Sequence, residues 1–170
     1  MSQRILGAIA TIQLPGMGIG YNGRPQYAIS KFFEDFEELT LNQVVIMGRK
    51  TLETLPKKRR PLPDRVNIIV SSNQNIIEVS ETNFIAESPE AAFELALTKF
   101  PDKNIWVAGG GTIYDALLDK LNMLCLTKVP GTKISDTFFP DYTHLFDEVD
   151  IRSFTDEQQK INYDMVIATR

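Results

Sequence analysis

The chain has 170 residues, of which 43% are hydrophobic and 24% charged, and its net charge is −4 at pH 7. This length suits one domain with a substantial core, and this composition is typical of a globular protein. The acidic balance argues against a general binder of nucleic acid or of anionic membranes. The sequence has no signal peptide, long apolar span or lipidation motif, so we expect a cytoplasmic protein.

Strand and helix patterns alternate along the chain. The predicted strands are RILGAIATI (4–12), VVIMG (44–48), VNIIVSS (66–72), NFIAE (83–87), NIWVA (104–108) and LNMLCLTKV (121–129). The predicted helices are AISKFFEDFEEL (28–39), one that begins in RKTLETL (49–55), SPEAAFELAL (88–97) with Ser88 as its N-cap and Pro89 in its first turn, and one that begins at Thr112. The last two patterns, FDEVDIRSF (146–154) and INYDMVIAT (161–169), indicate a strand pair joined by a polar loop. We therefore predict one α/β domain, with a mainly parallel sheet, helices on both faces and a terminal antiparallel pair.

The chain has one cysteine, Cys125, and one histidine, His144. Cys125 cannot form an internal disulfide, and its apolar surroundings predict a core residue rather than a reactive thiol. A single histidine offers no cluster for a metal ion and no Cys-His or Ser-His arrangement for nucleophilic catalysis. We expect no metal site.

A glycine triplet provides the strongest local signal. The strand IWVA runs into Gly109, Gly110 and Gly111, and a helix follows. Glycines let a ligand approach the backbone, and the first amides of a helix attract an anion such as a diphosphate. The alternative is a tight turn without a ligand. The spacing matches neither the GxGxxG nor the GxxxxGK[ST] fingerprint.

Two further strand ends carry polar side chains. Arg49 and Lys50 begin a helix, where two cations suit a phosphate monoester or form a solvated basic turn. Ser71 and Ser72 end the next strand. Because the carboxyl ends of parallel strands meet at one edge of a sheet, where ligands commonly bind, these segments are expected to line up there.

Two other segments complete the pattern. The proline-rich RPLPDRVN (60–67) fixes Arg65 at a strand start, where an arginine can clamp a carboxylate or form a surface ion pair. In SDTFFPDY (135–142) we expect a structural role, with Phe138 and Phe139 covering an edge of the core.

Six collinear stretches resemble the dihydrofolate reductase family. They are MGIGYNG (17–23), VIMGRKT (45–51), RPLPDRVNIIVSS (60–72), WVAGGGTIYDALL (106–118), LTKV (126–129) and DTFFPDY (136–142). The resemblance implies an eight-stranded central sheet with four helices, a monomer, a site for NADPH and a pocket for the pteridine ring of a folate or other pterin.

On the cofactor side, the resemblance implies that the glycine triplet holds the diphosphate and that Tyr114 lies by the nicotinamide. Ile19 and Gly20 resemble a flexible loop that closes over it. The Arg49–Lys50 pair favours NADPH over NADH, although Thr112 stands where many relatives carry an arginine, which weakens that preference. The implied cofactor residues are Ala10, Ile19, Gly20, Gly48, Arg49, Lys50, Thr51, Val70, Ser71, Ser72, Ala108, Gly109, Gly110, Gly111, Thr112, Ile113 and Tyr114.

On the substrate side, the resemblance implies that Arg65 clamps the α-carboxylate of the folate glutamate tail. Phe36 matches a phenylalanine that packs on the pteridine and benzoyl rings. Thr127 matches a threonine that hydrogen-bonds toward the acid that binds the pteridine. The implied substrate residues are Ile9, Ala10, Phe32, Phe33, Phe36, Leu55, Leu62, Arg65 and Thr127.

The sequence departs from the family where that acid belongs. With Phe36 as the anchor, the acid position is Phe32, and a Pro-Trp pair of the family is replaced by Gln26 and Tyr27. The family acid orients the pterin and favours protonation of the nitrogen beside the carbon that receives hydride. Asp35, about 60° from Phe32 around the helix, and the Tyr27 hydroxyl are weak substitutes, so we assign no catalytic residue.

Three hypotheses follow from this departure. The chain is a dihydrofolate reductase that takes its proton from water or a displaced group, a reductase of another pterin or of a pyrimidine with the same fold, or an NADPH-binding protein with impaired catalysis. The retained Phe36 and Arg65 place the first hypothesis ahead. Without the acid we expect weak inhibition by diaminopyrimidines, hence antifolate resistance, and a higher turnover after Phe32→Asp.

Overall fold

The computed structural model describes residues 2–170 and contains one large sheet with helices on both faces. The strands are β1 (Leu6–Leu14), β2 (Gly18–Tyr21), β3 (Arg24–Pro25), β4 (Val44–Gly48), β5 (Val66–Val70), β6 (Asn83–Ala86), β7 (Ile105–Val107), β8 (Met123–Pro130), β9 (Thr137–Phe138), β10 (Asp147–Asp156) and β11 (Ile161–Thr169). The helices are α1 (Ser30–Thr40), α2 (Arg49–Thr54), α3 (Pro89–Lys99) and α4 (Gly111–Leu117), with single 3-10 turns at Lys57–Arg59 and Leu118–Lys120.

Eight strands form the main path of the sheet in the order β10-β11-β8-β1-β7-β4-β5-β6. The six strands from β8 to β6 are parallel to one another, whereas β11 is antiparallel to β8 and β10 is antiparallel to β11. The predicted mainly parallel sheet with a terminal antiparallel pair is confirmed. The short strands β2, β3 and β9, which the sequence patterns did not indicate, form an extension attached to β1 through β2.

Alternation along the strands divides the core between the two faces of the sheet. The larger core packs one face against α3 and α4, and its strand residues include Ala8, Ala10, Ile46, Val107 and Leu126. The opposite face carries two smaller clusters. The first, here called the α2 cluster, comprises Val45, Met47, Leu52, Leu62 and Ile69; the second, the α1 cluster, comprises Ile29, Val129 and Tyr163. Helix α1 joins them, because Phe36 packs against the first and Phe32 against the second.

Helix boundaries follow local capping chemistry. The Ser88 hydroxyl accepts a hydrogen bond from the Ala91 amide at 3.0 Å and Pro89 is the first residue of α3, which confirms the predicted cap. Helix α1 begins at Ser30 rather than at Ala28, because Ile29 is extended (φ −96°, ψ 117°) and buries its side chain.

The expectation for the two adjacent phenylalanines is wrong for one of them. Phe139 is buried, but the side chain of Phe138 is 50% exposed. Successive side chains of an extended segment point to opposite sides, so only one of the pair reaches the core. No helix within residues 2–170 is long and apolar enough to cross a membrane.

Candidate active site

Three neighbouring parallel strands end side by side. Ile46 of β4 is in register with Val107 of β7, and Gly48 is in register with Val70 of β5. The Gly48 amide donates to the Gly109 carbonyl at 2.8 Å, which ties the end of β4 to the glycine turn after β7. The predicted alignment of these strand ends at one edge of the sheet is confirmed.

The first two glycines of the triplet differ in whether the fold itself requires a glycine. Gly109 has φ +108°, and a Cβ there would lie 3.1 Å from the ring of Tyr114, so conformation and packing both demand glycine. A Cβ at Gly110 would meet only the Thr51 hydroxyl, at 3.9 Å. The Gly109–Gly110 peptide bond is cis. Open space in front of Gly110 therefore remains for a ligand to approach the main chain.

Tyr114 links this turn to the first strand. Its hydroxyl donates to the Ile9 carbonyl at 2.7 Å, and burial raises the pKa of Tyr114, so the phenol stays neutral. Ile9 itself is buried on the face that carries α1 and α2. Ala10 points the other way, into the larger core, so only its main chain faces the site.

Two of the predicted phosphate-binding side chains, Arg49 and Lys50, lie at a cleft of about 780 Å³. Arg49 and Lys50 line it from α2, and Phe33 faces them from α1. Arg49 is paired with Glu53 at 2.9 Å. Ser71 is buried and accepts a hydrogen bond from the Asn73 amide at 3.0 Å, whereas Ser72 and Thr112 are exposed. Their predicted contacts with a cofactor stay predictions.

The segment that resembles a closing loop forms strand β2. Gly20 pairs with Pro25 of β3 and with Thr137 of β9. Its carbonyl also accepts a hydrogen bond from the Asp136 amide at 3.0 Å. Ile19 packs against the larger core. These contacts fix the segment beside the end of β1.

An apolar wall forms on the face of the sheet that carries α2. Phe36 and Leu55 pack with Leu62 in the α2 cluster, which Ala108 at the end of β7 also joins. The structure thus brings together three predicted ring-binding residues and one predicted cofactor residue. Phe33 is 52% exposed and lies at the rim rather than in the wall.

Phe32 occupies the position that the resemblance implies for an acid. Its ring stacks on Phe36, with centroids 6.3 Å apart and planes at 29°, and it packs against the α1 cluster. The two weak substitutes already have partners: the Asp35 carboxylate lies 3.4 Å from Lys31 Nζ, and the Tyr27 hydroxyl donates to Gln13 at 2.5 Å. Burial raises the pKa of Tyr27, so its hydroxyl is a still weaker acid than a free phenol.

Two hydroxyl groups lie on the sheet beneath α1. Thr11 and Thr127 are register partners on β1 and β8, and both point to the face that carries α1. Thr127 donates to the sulfur of Met165 at 3.1 Å, a weak acceptor. The Thr11 hydroxyl is buried and has no partner within residues 2–170. Buried polar atoms are rarely left unpaired, so this hydroxyl stands out among the polar groups on this face.

Arg65 is enclosed at the end of the wall. Its side chain has no exposed surface, and Nη2 lies 2.8 Å from the carboxylate of Glu37. It also donates to the Thr40 hydroxyl at 3.1 Å and to the Pro63 carbonyl at 2.6 Å. The sequence analysis did not predict Glu37 as a partner of Arg65, although Glu37 directly follows Phe36 on the same helix.

Cys125 lies on the same face as Thr127. Burial, together with the charge of Asp35, raises the pKa of the thiol to about 12, so it is not a thiolate near neutral pH. Within residues 2–170, no group of three or more histidine, cysteine, aspartate or glutamate side chains is placed to hold a metal ion.

Comparison with known proteins identifies relatives for nearly the whole chain. The family model described as dihydrofolate reductase matches residues 6–170. A protein named dihydrofolate reductase from Heliothis virescens is 32% identical, with 96% of each chain covered. Proteins of the same name from Candida albicans and Bos taurus are 31% and 35% identical; the matches cover 81% and 74% of this chain and 77% and 73% of those proteins.

Proposed function

The chain belongs to the dihydrofolate reductase family, and from this premise we propose that it reduces 7,8-dihydrofolate to tetrahydrofolate with NADPH. The observation that carries the proposal is the packing of Phe36, Leu55 and Leu62 into one wall together with Ala108. A flat ring held on this wall lies next to the strand end where the family places the nicotinamide. Positioning of this kind is the main requirement of hydride transfer.

The residues at the strand ends fit a dinucleotide phosphate. The open space before Gly110 lets a diphosphate approach the main chain, whereas Gly109 is required by the fold itself. Arg49 and Lys50, on the neighbouring helix, supply positive charge for a further phosphate, which favours NADPH over NADH. NADPH supplies the hydride when it is bound.

The pterin is oriented without a carboxylate at residue 32. Reduction adds a hydride to C6 and a proton to N5 of the dihydropterin, and within residues 2–170 the two candidate substitutes for the family acid, Asp35 and Tyr27, have other partners. We assign ring orientation to Phe36 and to the hydroxyls of Thr11 and Thr127, and the proton to water. Thr11 supports this assignment because its hydroxyl is buried and has no partner within residues 2–170. We expect a slower reaction than with a positioned acid, which typically contributes 10²–10⁴-fold.

A direct assay tests the proposal. The purified protein is mixed with NADPH and 7,8-dihydrofolate, and the loss of NADPH absorbance is followed together with the formation of tetrahydrofolate. We expect slow turnover that depends on both reactants. NADPH binding without turnover would favour the hypothesis of impaired catalysis, and turnover of other pterins alone would favour a different substrate.

A matched pair of variants links turnover to the wall. Phe36→Ala removes the ring surface and should lower kcat/KM by at least about tenfold, since truncating a well-packed aromatic costs several kcal/mol. Phe84→Ala is the control, because Phe84 packs against Phe100 in the larger core, away from the wall. Equal losses in both folded variants would contradict the assignment of the wall.

A further inference from the structure

Arg65 is enclosed by groups of its own chain. A guanidinium has five N–H donors. Four contacts engage four of these donors: Nε to the Thr40 hydroxyl at 3.1 Å, Nη1 to the Pro63 carbonyl at 2.6 Å, and Nη2 to both the main-chain carbonyl (3.3 Å) and the carboxylate (2.8 Å) of Glu37. The side chain of Arg65 has no exposed surface. A second carboxylate can reach Arg65 only if the Glu37 carboxylate moves away.

Glu37 is a charged and movable partner. Its carboxylate bridges Arg65 at 2.8 Å and Arg59 at 2.7 Å. The hydrogen bond from Arg65, with the charges of Arg65 and Arg59, lowers the pKa of Glu37, so the group is ionised near neutral pH. Its side chain is 48% exposed, which leaves room for the carboxylate to rotate into solvent.

We propose that Glu37 is a built-in counter-ion that competes with the tail carboxylate of the substrate for Arg65. The inference deepens the proposed function and rests on it, because it concerns the tail end of the same pocket. An incoming carboxylate exchanges one ion pair with Arg65 for another and leaves the displaced Glu37 charge nearby. The anionic tail therefore adds little affinity, and the protein selects dihydropterins by their ring rather than by their tail charge.

The geometry of α1 makes this competition persistent. Glu37 is anchored one residue after Phe36, and its main-chain carbonyl already binds Arg65, so its carboxylate is always close to the guanidinium. Because Glu37 belongs to the same chain as Arg65, its carboxylate acts at a high effective concentration. The tail carboxylate of a free substrate must compete against that concentration. Substrates whose tails lack a carboxylate at this point bind without displacing Glu37.

Matched ligands and variants test the inference. Folate and its α-carboxamide differ only at the group that would reach Arg65, and their Kd values are measured by calorimetry with the wild type, Glu37→Gln and Glu38→Gln. Glu38 is the control because it is an exposed carboxylate on the same helix with the same charge. For the wild type we expect the two Kd values to agree within about threefold.

Glu37→Gln should tighten folate by about tenfold, the scale of one charge-assisted hydrogen bond, and change the α-carboxamide by less than about twofold. Glu38→Gln should change both ligands by less than about twofold. Equal effects of Glu37→Gln on both ligands, or the same tightening by Glu38→Gln, would overturn the inference. If the wild type binds folate more than about a hundredfold more tightly than the α-carboxamide, that result alone would overturn the inference.

These outcomes separate the inference from the proposed function. Binding of folate without any turnover contradicts the proposed reaction, yet the Kd comparison still decides the role of Glu37. If the protein turns over dihydrofolate but its Kd values depend strongly on the α-carboxylate, the proposed reaction stands and the role of Glu37 is overturned. Failure of all three folded proteins to bind either ligand contradicts both.

Discussion

The two sides of the candidate site differ in how far they keep the features that the family resemblance implies. On the nucleotide side, the strand ends of β4, β5 and β7 are aligned, and Gly109 is required by its φ of +108°. On the pterin side, the apolar wall is kept but the charges are changed. Phe32 packs at the position that the resemblance implies for an acid, and Glu37 contacts Arg65, the residue predicted to bind a substrate tail.

This difference separates two tasks of the site. In the function that we propose, placing a flat ring beside a nicotinamide needs shape, which the wall of Phe36, Leu55 and Leu62 would supply. Gripping a charged or protonated ring needs a carboxylate, which Phe32 cannot supply. We therefore expect ligands that need a carboxylate beside the ring to bind weakly to this protein, and a substitution that adds a carboxylate there to have a large effect.

The largest expected effect is a loss of affinity for diaminopyrimidine antifolates, which tests the side of the site assigned to the pterin. Their protonated ring would be buried on the wall without a carboxylate partner, and an unpaired buried charge costs about 3–5 kcal/mol, a factor of hundreds to thousands in Kd. We expect micromolar or weaker binding of trimethoprim, measured by calorimetry with the NADPH-saturated protein. Nanomolar binding would show that another carboxylate reaches the ring.

Restoring the acid is the next test. Phe32→Asp should raise kcat for dihydrofolate by about tenfold or more, because a positioned acid typically contributes 10²–10⁴-fold. The substitution also removes packing against Phe36 and the α1 cluster, so we expect it to lower the free energy of unfolding by about 2–3 kcal/mol. Steady-state rates and thermal unfolding measure the two effects.

Phe32→Asn is the matched control for this substitution. It removes the same aromatic ring and introduces a side chain of nearly the same shape, but without an acidic group. A similar gain in rate for both variants would attribute the effect to space rather than to the carboxylate. An unchanged rate in a folded Phe32→Asp protein that binds NADPH would mean that the site uses another arrangement.

Much of the fold was predictable because it depends on repeating patterns. Apolar strands followed by amphipathic helices indicated the parallel sheet, and Ser88 with Pro89 identified the start of α3. Parallel strands bring their carboxyl ends together, so the alignment of the ends of β4, β5 and β7 also followed. The short strands β2, β3 and β9 carry two to four residues each, too few to show a periodic pattern.

The polar contacts of the site were not predictable in the same way. Helical spacing places Glu37 on the exposed side of α1, but it does not show that a long side chain reaches Arg65 in a distant loop. The Tyr27 hydroxyl likewise finds Gln13, fourteen positions away in sequence. Thr11 lies in a mostly apolar strand, and only the three-dimensional packing shows that its hydroxyl is buried and has no partner among residues 2–170.

The glycine turn tests the nucleotide side. Gly109→Ala places a Cβ 3.1 Å from the Tyr114 ring at a positive φ, and we expect it to lower the free energy of unfolding by about 1–3 kcal/mol. Gly110→Ala meets nothing closer than 3.9 Å, so its stability should stay within about 0.5 kcal/mol of the wild type.

If a diphosphate uses that space, Gly110→Ala weakens NADPH binding by about tenfold or more. Thermal unfolding and NADPH titration measure these effects; unchanged NADPH binding by Gly110→Ala would argue against the site.

The smallest expected effect belongs to the unpaired hydroxyl beneath α1. Thr11→Val removes a buried hydroxyl that has no partner in the described chain, so we expect stability to rise by up to about 1 kcal/mol. The same change should raise KM for dihydrofolate by about three- to tenfold if the hydroxyl binds the pterin, since one neutral hydrogen bond contributes about 0.5–1.5 kcal/mol. Unfolding curves and steady-state kinetics report both. Thr127→Val is the neighbouring comparison, because it removes the other hydroxyl that we assign to ring orientation, together with its contact with Met165. Opposite signs for stability and affinity would mark Thr11 as a binding residue, because a group with a purely structural role would move KM only through a loss of stability.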